Sequence, residues 1–338
     1  MKAIGYHQPL PISHPEALLD LELAEPTPGP RDLLVDVRAV SVNPADAKVR
    51  RNSAPPAGQP RVLGWDAAGV VVAVGAAVTA YKPGDRVWYA GSIKRAGSNA
   101  ERQVVDERIA GRMPSSLDFA QAAALPLTTI TAWELLFDRL RVAKAGGAGE
   151  AILIVGAAGG VGSILTQLAA KLTQLRVIGT ASRPDSAAWL RSLGAHDVID
   201  HGQSIPAQLA ALGVPGVRHI AALTHTEAHY PALVEALAPQ GQIAAIDDFK
   251  SIDISLLKSK SGAFLWEFMF TRSSFETPDM AEQRALLDEV AALVDRGVIK
   301  TTVAEHFGAI NAANLRRAHA RLESHTARGK IVLEGFGG

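Results

Sequence analysis

A glycine-rich turn set between an apolar strand and a helix restricts the fold of this chain more than any other segment. Residues 151–155 are Ala-Ile-Leu-Ile-Val, and apolar residues recur at helical spacing over residues 163–172. Small residues between them let the backbone approach phosphate groups, and a helix N-terminus offers unpaired N–H groups and a positive dipole end. This order of elements predicts a Rossmann-type site for a dinucleotide pyrophosphate. The predicted contacts are Gly156, Ala158, Gly159, Gly160, Val161 and Gly162.

The composition allows two domains and excludes several classes of protein. A chain of 338 residues that is 48% hydrophobic can bury two cores. Lys and Arg number 34, as do Asp and Glu, without a long block of one sign, so we expect no nucleic-acid or membrane partner. No apolar run reaches the roughly 18 residues of a membrane span, and the N-terminus resembles a first strand and not a signal peptide. We therefore expect a cytoplasmic protein.

The absence of cysteine removes much of the chemistry open to other enzymes. Disulfides, thiolate nucleophiles and cysteine-ligated zinc or iron–sulfur sites are excluded. Zinc held by His and carboxylate alone stays open, and His225 and His229 have a helical ligand spacing. Pro231 favours a loop or a helix start there, so no metal site is predicted.

The pattern of the chain changes near residue 120. Before it, short strands at residues 33–42, 69–74 and 86–89 are separated by glycine and proline, which predicts a partly open antiparallel barrel. After it, helices and apolar strands alternate, which predicts a parallel, doubly wound sheet. The strands predicted for that sheet are residues 151–155, 176–180, 197–199, 219–223 and 242–246, with helices at residues 160–172, 185–193 and 230–237.

Three further segments complete the predicted α/β fold. Residues 122–137 are helical with a break at Pro126, and residues 278–296 form an amphipathic helix. Residues 329–333 form a last strand that returns to the first domain. The predicted domains are residues 1–123 with 273–338 for the barrel and residues 124–272 for the Rossmann sheet.

Motifs spread along the chain form a specific set in their order and spacing. Besides the glycine turn, they lie at residues 42–46, 64–70, 84–87, 97–101, 124–133 and 329–333. In these motifs the chain resembles, nearly end to end, the medium-chain dehydrogenase/reductase superfamily in its zinc-free quinone oxidoreductase branch. Within that branch it is most similar to proteins labelled zinc-type alcohol dehydrogenase-like. The resemblance implies that the barrel is a GroES-like catalytic domain.

The resemblance also exposes a difference at the metal site of the zinc enzymes. Zinc alcohol dehydrogenases carry a catalytic cysteine where this chain has Asn43, and Gly-His-Glu where it has Gly64-Trp65-Asp66. Without those ligands we expect no zinc. Oxidation of a saturated alcohol relies on the Lewis acidity of a metal, whereas a quinone or an enone disperses the developing charge over a conjugated system. The expected substrates are therefore quinones and α,β-unsaturated carbonyls.

The end of the second Rossmann strand bears on the choice of cofactor. In this fold an acid there binds the ribose 2′-OH of NAD, but residues 177–180 are followed by Ala-Ser-Arg-Pro. Ser182 donates a hydrogen bond and the planar guanidinium of Arg183 pairs with a 2′-phosphate, which predicts NADPH. In the alternative, Arg183 is a solvated charge and Asp185, which also suits a helix cap, contacts the ribose.

The resemblance implies further contacts with NADPH. His201 matches a position where relatives often place a tyrosine beside the adenosine phosphate, although a surface histidine in an Asp-His-Gly turn fits the pattern equally well. Thr128 and Thr131 share one helical face near the nicotinamide, unless they only cap that helix or bond its backbone. The remaining predicted cofactor contacts are Leu223, Thr224, His225, Ile246 and Lys330.

Asn43, Lys48 and Thr128 are the predicted catalytic residues. The amide of Asn43 donates to a carbonyl oxygen that becomes an oxyanion, or else Asn43 only starts a turn. Lys48 stands where relatives commonly carry a tyrosine, and it either stabilises the oxyanion or is a surface charge.

Acidic and aromatic residues near these motifs have structural alternatives. Asp46 and Asp66 are expected to form ion pairs with Arg50 or Arg51. The aromatic stretch at residues 266–272 lines an apolar substrate pocket or, as an edge strand, packs across a homodimer interface.

The leading hypothesis is an NADPH-dependent reductase, a homodimer, that transfers the C4 hydride to a quinone or an enone while solvent supplies the proton. One alternative is an aldehyde or alcohol dehydrogenase of the same superfamily. The other is a low-turnover NADPH-binding sensor, because a glycine turn argues only for binding.

Overall fold

The computed structural model describes residues 1–337, and the chain forms two compact units. Unit 1 combines Met1–Ile130 with the chain from Phe270 onward, and unit 2 is Thr131–Met269. The unit boundaries fall at residues 130/131 and 269/270, whereas the sequence places the domain boundaries at 123/124 and 272/273. The domain assignment made from the sequence stays a prediction.

Unit 1 is built around strands that are mostly antiparallel. They are β1 (Lys2–Tyr6), β2 (Leu19–Glu22), β3 (Asp32–Val42), β4 (Arg61–Val62), β5 (Ala67–Val74), β6 (Arg86–Tyr89), β7 (Arg102–Asp106), β8 (Ala110–Arg112), β15 (Val303–His306) and β16 (Lys330–Glu334). β1 lies between β2 and β4, and the larger sheet has the order β15-β16-β3-β5-β6-β8, with β7 also paired to β3. The antiparallel pairing of β16 with β3 confirms that the last strand returns to the first domain.

The following helices lie or begin in unit 1. They are α1 (Pro44–Asn52), α2 (Phe119–Ala123), α3 (Pro126–Trp133), α8 (Thr271–Phe275), α9 (Glu282–Asp295) and α10 (Ala312–Glu323). At α1, the N-cap Asn43 donates its N–H to the carboxylate of Asp46 at 2.7 Å, and proline occupies the first helical position. The end of α2 before Pro126 and the start of α3 at that residue confirm the predicted helix break.

Unit 2 contains a parallel sheet with helices between its strands. The strands are β9 (Ala151–Val155), β10 (Arg176–Thr180), β11 (Asp197–Ile199), β12 (Val217–Ala222), β13 (Leu237–Ala245) and β14 (Ala263–Trp266). The helices are α4 (Gly160–Leu172), α5 (Pro184–Ser192), α6 (Ile205–Ala211) and α7 (Thr226–Ala236), with a π-helix at Glu134–Arg139 and a 3-10 helix at Ile254–Lys260. The strand order β11-β10-β9-β12-β13-β14 reverses direction between β9 and β12, the switch point at which this fold binds dinucleotides. The predicted α/β class, with a Rossmann sheet and a separate antiparallel sheet, is confirmed.

The apolar runs of the sequence form the core of unit 2. All five residues of β9 are buried, as a parallel strand covered on both faces requires. Leu153, Ile178, Ile220 and Ile243 come from four neighbouring strands and pack into one hydrophobic cluster. Over residues 1–337, no helix combines the length and the apolarity needed to cross a bilayer.

Candidate active site

The turn between β9 and α4 has the backbone shape that its glycines predict. Gly156 has a φ of +77°, and a Cβ there would lie 2.7 Å from Cγ2 of Thr224. A Cβ on Gly162 would lie 2.4 Å from the carbonyl oxygen of Ala157. The Gly156 N–H donates to Oγ1 of Thr180 at 3.1 Å and so ties the turn to β10. The left-handed backbone of Gly156 and the close packing at both Gly156 and Gly162 therefore favour glycine at the first and last positions of the turn, apart from any ligand.

The N-terminus of α4 is the part of the turn best suited to an anion. Gly159 is the N-cap residue and has no side chain with which to cap the first backbone N–H groups of this 13-residue helix. Within 4 Å, a Cβ on Gly159 would meet only the carbonyl oxygen of Gly156, at 3.5 Å. The predicted contacts Ala158, Gly160 and Val161 lie in the same turn and are partly exposed. Backbone N–H groups, the helix dipole and open space together fit a pyrophosphate.

The tip of β10 exposes Ser182 and Arg183. Arg183 is the N-cap residue of α5, where its Nη2 donates to Oγ of Ser186 at 3.3 Å and its Nε lies 3.9 Å from Oδ1 of Asp185. Asp185 lies in the first turn of α5 and accepts from the Ser186 N–H, so it is not the helix cap that the sequence suggested. The tip thus offers a hydroxyl and a guanidinium, and no carboxylate precedes the helix.

Five other residues predicted to contact the cofactor lie at the carboxyl edge of the same sheet. They are His201 after β11, Leu223 and Thr224 after β12, His225 before α7, and Ile246 after β13. His225 has a left-handed φ of +51°, and its Nδ1 lies 2.8 Å from Oγ1 of Thr224. The structure therefore brings these residues to the edge at which α/β folds bind ligands.

Thr128 and Thr131 both lie on α3, and both side chains are buried. The Thr128 hydroxyl donates to the carbonyl oxygen of Leu125 at 3.1 Å. This is the backbone bond that the sequence left open as an alternative, and it uses the only hydroxyl proton of Thr128. Contact of either threonine with a nicotinamide stays a prediction.

A buried polar network in unit 1 links Asn43, Asp66 and Lys330, whose exposed fractions are at most 3%. The Lys330 ammonium donates to the Val42 carbonyl oxygen at 2.9 Å and to Oδ1 of Asn43, and lies 2.9 Å from Oδ2 of Asp66. Nδ2 of Asn43 donates to the same Asp66 oxygen at 3.0 Å. The Leu127 N–H donates to the other Asp66 oxygen at 2.8 Å. The Asn43 amide is thus held at both ends, and all three N–H donors of Lys330 have acceptors.

Asp46 lies beside this network and is satisfied by backbone groups. Its carboxylate accepts from the N–H of Asn43 at 2.7 Å and from the N–H of Gly64 at 3.0 Å. Burial raises the pKa of Asp46 to about 7, although the hydrogen bond from the Asn43 N–H opposes the rise. Asp46 therefore fastens the start of α1 to the segment that precedes β5.

The ion pairs predicted for Asp46 and Asp66 with Arg50 or Arg51 are wrong. Arg50 is fully buried and pairs with Glu323 of α10. The physical reason is that backbone N–H groups at the start of α1 occupy the Asp46 carboxylate, while the ammonium described above neutralises Asp66.

Among the three predicted catalytic side chains, that of Lys48 is partly exposed to solvent. It is half-buried on α1, whereas Asn43 and Thr128 are buried. Asn43 is also the N-cap of α1, which is the structural alternative given for it.

Lys330 is predicted to contact the cofactor, but each of its three N–H donors already has an acceptor inside the protein. Its contact with the cofactor stays a prediction. In residues 1–337, no group of three or more His, Asp or Glu side chains is arranged to hold a metal ion.

A buried charge cluster in unit 2 has no counterpart in the sequence predictions. Glu134 of the π-helix and Glu267 after β14 are both buried. Nε of Arg139 donates to Oε2 of Glu267 at 2.9 Å, and its Nη2 lies 3.9 Å from Oε2 of Glu134. Arg139 and Glu267 are 128 residues apart, so no local spacing signals the cluster.

Comparison with known families agrees with this architecture. Residues 29–124 match the alcohol dehydrogenase GroES-like domain, and residues 193–333 match the zinc-binding dehydrogenase domain. A zinc-type alcohol dehydrogenase-like protein of Staphylococcus aureus (strain MSSA476) is 39% identical over 336 residues, 98% of this chain and 99% of its own. The chain belongs to the medium-chain dehydrogenase/reductase superfamily. Members of this superfamily are oxidoreductases that bind a nicotinamide cofactor.

Other members of the superfamily carry different names. A quinone oxidoreductase of Pseudomonas aeruginosa is 31% identical over 326 residues, 94% of this chain and 96% of its own. The crystal structure of a candidate zinc-dependent alcohol dehydrogenase from Rhizobium etli CFN 42 has a TM-score of 0.96 and 54% identity, covering 100% of this chain and 98% of its own. The Escherichia coli quinone oxidoreductase, solved as a complex with NADPH, has a TM-score of 0.84 and 26% identity. The match covers 99% of this chain and 100% of the E. coli chain. These similarities establish the superfamily and leave the substrate to be argued from the residues.

Proposed function

We propose that the protein is an NADPH-dependent reductase of quinones or α,β-unsaturated carbonyls that works without a metal. The observation that carries this proposal is the buried ammonium of Lys330 between Asn43 and Asp66. The resemblance places the catalytic cysteine of the zinc enzymes at Asn43 and their Gly-His-Glu motif at Gly64, Trp65 and Asp66. The charge already present at these positions therefore bears directly on whether a metal can act there.

The residues at this position do not fit a zinc ion. Asn43 offers a neutral amide, and the indole N–H of Trp65 donates to the Ser92 carbonyl oxygen at 3.2 Å. Asp66 does offer a carboxylate, but the Lys330 ammonium lies 2.9 Å from it. A divalent cation at Asp66 would face that like charge at short range in a buried site. The proposed reaction therefore involves no zinc.

The class of substrate follows from the chemistry available without a Lewis acid. In a saturated aldehyde, the negative charge that develops during reduction sits on one oxygen and needs strong stabilisation. In a quinone or an enone the same charge spreads over the conjugated system, so a few hydrogen-bond donors are enough. Conjugated carbonyls are thus the acceptors that this set of side chains suits best.

The assignment of NADPH is supported by the carboxyl edge of the Rossmann sheet. The N-terminus of α4 fits a pyrophosphate, and Ser182 and Arg183 at the tip of β10 fit a 2′-phosphate through a hydroxyl and a planar guanidinium. Bound NADPH supplies the hydride for the reduction. The similar E. coli quinone oxidoreductase was solved with NADPH. Asp185, the alternative contact of the ribose, accepts from the Ser186 N–H in the first turn of α5.

We assign to Lys48 the role of stabilising the negative charge that develops on the substrate oxygen. Its ammonium both donates hydrogen bonds and carries a positive charge, and it is the partly exposed member of the predicted catalytic set. Asn43 and Asp46 hold the first turn of α1, the helix that carries Lys48, so they act as positioning residues. Solvent supplies the proton.

The test is a screen of acceptors with each cofactor. Quinones and enones should oxidise NADPH faster than NADH, a saturated aldehyde should be a poor acceptor, and chelator treatment should leave the rates unchanged. Lys48→Met should lower kcat/KM, and Lys48→Arg should restore part of it. Alcohol oxidation that is lost with a chelator and restored by zinc would overturn the proposal. Tight NADPH binding without turnover of any conjugated acceptor would favour a sensor instead.

We also propose that two copies pair through β14. This strand forms one edge of the six-stranded sheet. Trp266 and Phe268 are each 52% exposed, and Trp266 stacks on Phe249 with ring centroids 4.8 Å apart. An edge strand that carries exposed aromatic rings favours pairing with another chain. Light scattering should give a dimer for the native protein and a monomer for Trp266→Lys, and an unchanged mass for the variant would refute this interface.

A further inference from the structure

Two histidines of unit 2 form a pair that the proposed reaction does not use. The rings of His201 and His229 have centroids 6.1 Å apart and meet edge to face at 74°. His201 follows β11, and His229 lies in the first turns of α7. Both are partly buried, and Nδ1 of His201 is buried without a hydrogen-bond partner in the described part of the chain. The pair therefore stands at the carboxyl edge of the sheet with part of its hydrogen-bonding capacity unused.

Strand register places this pair beside the tip of β10. Thr180 is the register partner of Ile199, and the Ala181 N–H continues the ladder by donating to the Ile199 carbonyl oxygen at 2.9 Å. Ser182 and His201 each lie two residues beyond that matched pair, past the ends of β10 and β11. Adjacent strands lie about 4.8 Å apart, so the segments that carry Ser182 and His201 leave the sheet at neighbouring positions. Arg183 follows directly, which groups a hydroxyl, a guanidinium and an imidazole at one corner of unit 2.

The surroundings of His229 disfavour a proton while no anion is bound. Burial lowers the pKa of His229, and the neighbouring His201 and His225 lower it further, against a smaller opposing effect of Asp247. The Asp247 carboxylate is itself engaged by the Thr226 N–H at 3.0 Å. α6, which packs against both α7 and β11, carries no titratable residue. The other charged or titratable residues on these and the adjoining elements include Asp200, Glu227, Arg183 and Asp185, together with Arg176, Arg191, Asp197, Arg218, His219, Glu235, Lys258 and Lys260.

We propose that the His201–His229 pair is a proton-linked specificity element for the 2′-phosphate of the dinucleotide. Its imidazoles take up a proton when a phosphate occupies the corner formed with Ser182 and Arg183, and they remain neutral when the ribose carries a hydroxyl. The proposal rests on the proposed function, because it presupposes that the phosphorylated cofactor is the one bound. It adds that the preference for that cofactor is set partly by pH.

The sign of the effect follows from linkage. A phosphate near the imidazoles favours their charged form, so the bound state has the higher pKa and binding takes up protons. Affinity for NADPH should then rise as pH falls through the raised pKa of the bound state, while affinity for NADH changes little. Between about pH 8 and about pH 6.5 the phosphate still carries most of its charge, so this interval isolates the histidines.

The experiment measures dissociation constants for NADPH and NADH by nucleotide fluorescence at both pH values. We expect the ratio of NADH to NADPH constants to rise by about threefold to tenfold on going from about pH 8 to about pH 6.5 in the native chain. In the double variant His201→Asn with His229→Asn, the ratio should not depend on pH. In His201→Lys, whose charge is permanent, the ratio should be high at both values. His7→Asn, at an exposed histidine of unit 1, is the matched control and should behave like the native chain.

Two other outcomes separate the possible failures. A preference for NADPH that is independent of pH, or that keeps its pH dependence in the double variant, would overturn the histidine proposal and leave the cofactor assignment intact. Equal affinity for both nucleotides at both pH values would overturn the cofactor assignment itself. If His201→Asn weakens both nucleotides equally, the ring only packs against the shared adenosine, and the proposal fails.

Discussion

Nζ of Lys330 lies 2.9 Å from Oδ2 of Asp66, and both side chains are buried. Lys330 opens β16 and Asp66 directly precedes β5, while β3 lies between these two strands in the sheet. The pair is therefore held across the end of β3, where the Val42 carbonyl oxygen accepts a further hydrogen bond from the ammonium. Because water cannot solvate either charge there, each group depends on the other.

Replacing Lys330 by methionine should destabilise the fold by about 3 kcal/mol or more, because Asp66 would stay buried without a counter-charge. Urea unfolding at neutral pH measures this loss. Adding Asp66→Asn should restore part of the stability, since the amide is neutral and still accepts from the Leu127 N–H. Lys82→Met at an exposed lysine is the control. If Lys330→Met and Lys82→Met were equally stable, the buried charge pair would contribute nothing to the free energy of unfolding.

Removing the charge of Glu267 should change how stability depends on pH. Burial, followed by the nearby Glu134, raises the pKa of Glu267 to about 9, above the ordinary value of about 4.5. The folded state thus binds the proton more tightly, so this stabilisation is complete below about pH 4.5 and is lost as pH rises through about 9. Glu267→Gln should match the native chain near about pH 5 and exceed its unfolding free energy by on the order of 2 kcal/mol near about pH 9.

The control for Glu267 is Glu235→Gln, at an exposed carboxylate of α7. It should leave the pH profile of the unfolding free energy unchanged. A native profile that is flat between about pH 5 and about pH 9 would mean that Glu267 is ionised throughout, with Arg139 balancing its charge.

The local pattern of the sequence was enough to predict the elements around the glycine turn. The predicted strand at residues 151–155, helix at 160–172 and strand at 176–180 coincide with β9, α4 and β10. Each of these elements is indicated by its own residues, through an apolar run, apolar residues at helical spacing or an adjacent turn. By contrast, α1 and α10 went unpredicted because their many charged residues hide the apolar face, although the Asn-Pro-x-Asp start of α1 is a readable cap.

The polar networks could not be predicted in the same way. Lys330 and Asn43 are 287 residues apart, so only the sheet order brings them together. Asp46 and Arg50 have the spacing of a helical ion pair, yet the chain uses Asp46 at the helix N-terminus and Arg50 at Glu323. A spacing rule thus names possible partners, and tertiary contacts decide among them.

A buried histidine of α10 should make the fold sensitive to acid. His319 is fully buried, and within residues 1–337 neither of its ring nitrogens has a hydrogen-bond partner. Burial, and then the charge of Arg50, lowers its pKa to about 3. Since the folded pKa lies below the ordinary value of about 6.5, this contribution is present above that pH and is lost as pH falls toward about 3.

The corresponding test is His319→Leu, followed by urea unfolding over a range of pH. The variant should resist acid better than the native chain near about pH 4.5 and should differ from it by no more than about 1 kcal/mol near about pH 7.5. His7→Leu, at an exposed histidine, should keep the native acid sensitivity. Identical acid profiles for native and His319→Leu proteins would show that the buried ring does not control the transition.

Arg183 should distinguish the two nicotinamide cofactors. Its guanidinium is 44% exposed at the tip of β10, and a planar guanidinium suits a 2′-phosphate. Arg183→Ala should weaken NADPH about tenfold or more and change NADH little, because only NADPH carries the phosphate. Titration of both nucleotides measures this, with Arg191→Ala on the same helix as control. Equal losses for the two nucleotides would contradict the assigned role.

The glycine turn allows packing and ligand binding to be separated by two neighbouring substitutions. A Cβ on Gly162 would lie 2.4 Å from the Ala157 carbonyl oxygen, so Gly162→Ala should cost about 2 kcal/mol or more in unfolding free energy. Gly159 has a φ of −73°, and a Cβ there would meet only the Gly156 carbonyl oxygen, at 3.5 Å. Gly159→Ala should therefore fold with a loss below about 1 kcal/mol but bind both nucleotides about tenfold more weakly, because its methyl group enters the space for the pyrophosphate. Normal nucleotide affinity in Gly159→Ala would place the pyrophosphate elsewhere, and native stability in Gly162→Ala would show that α4 can shift away from the turn.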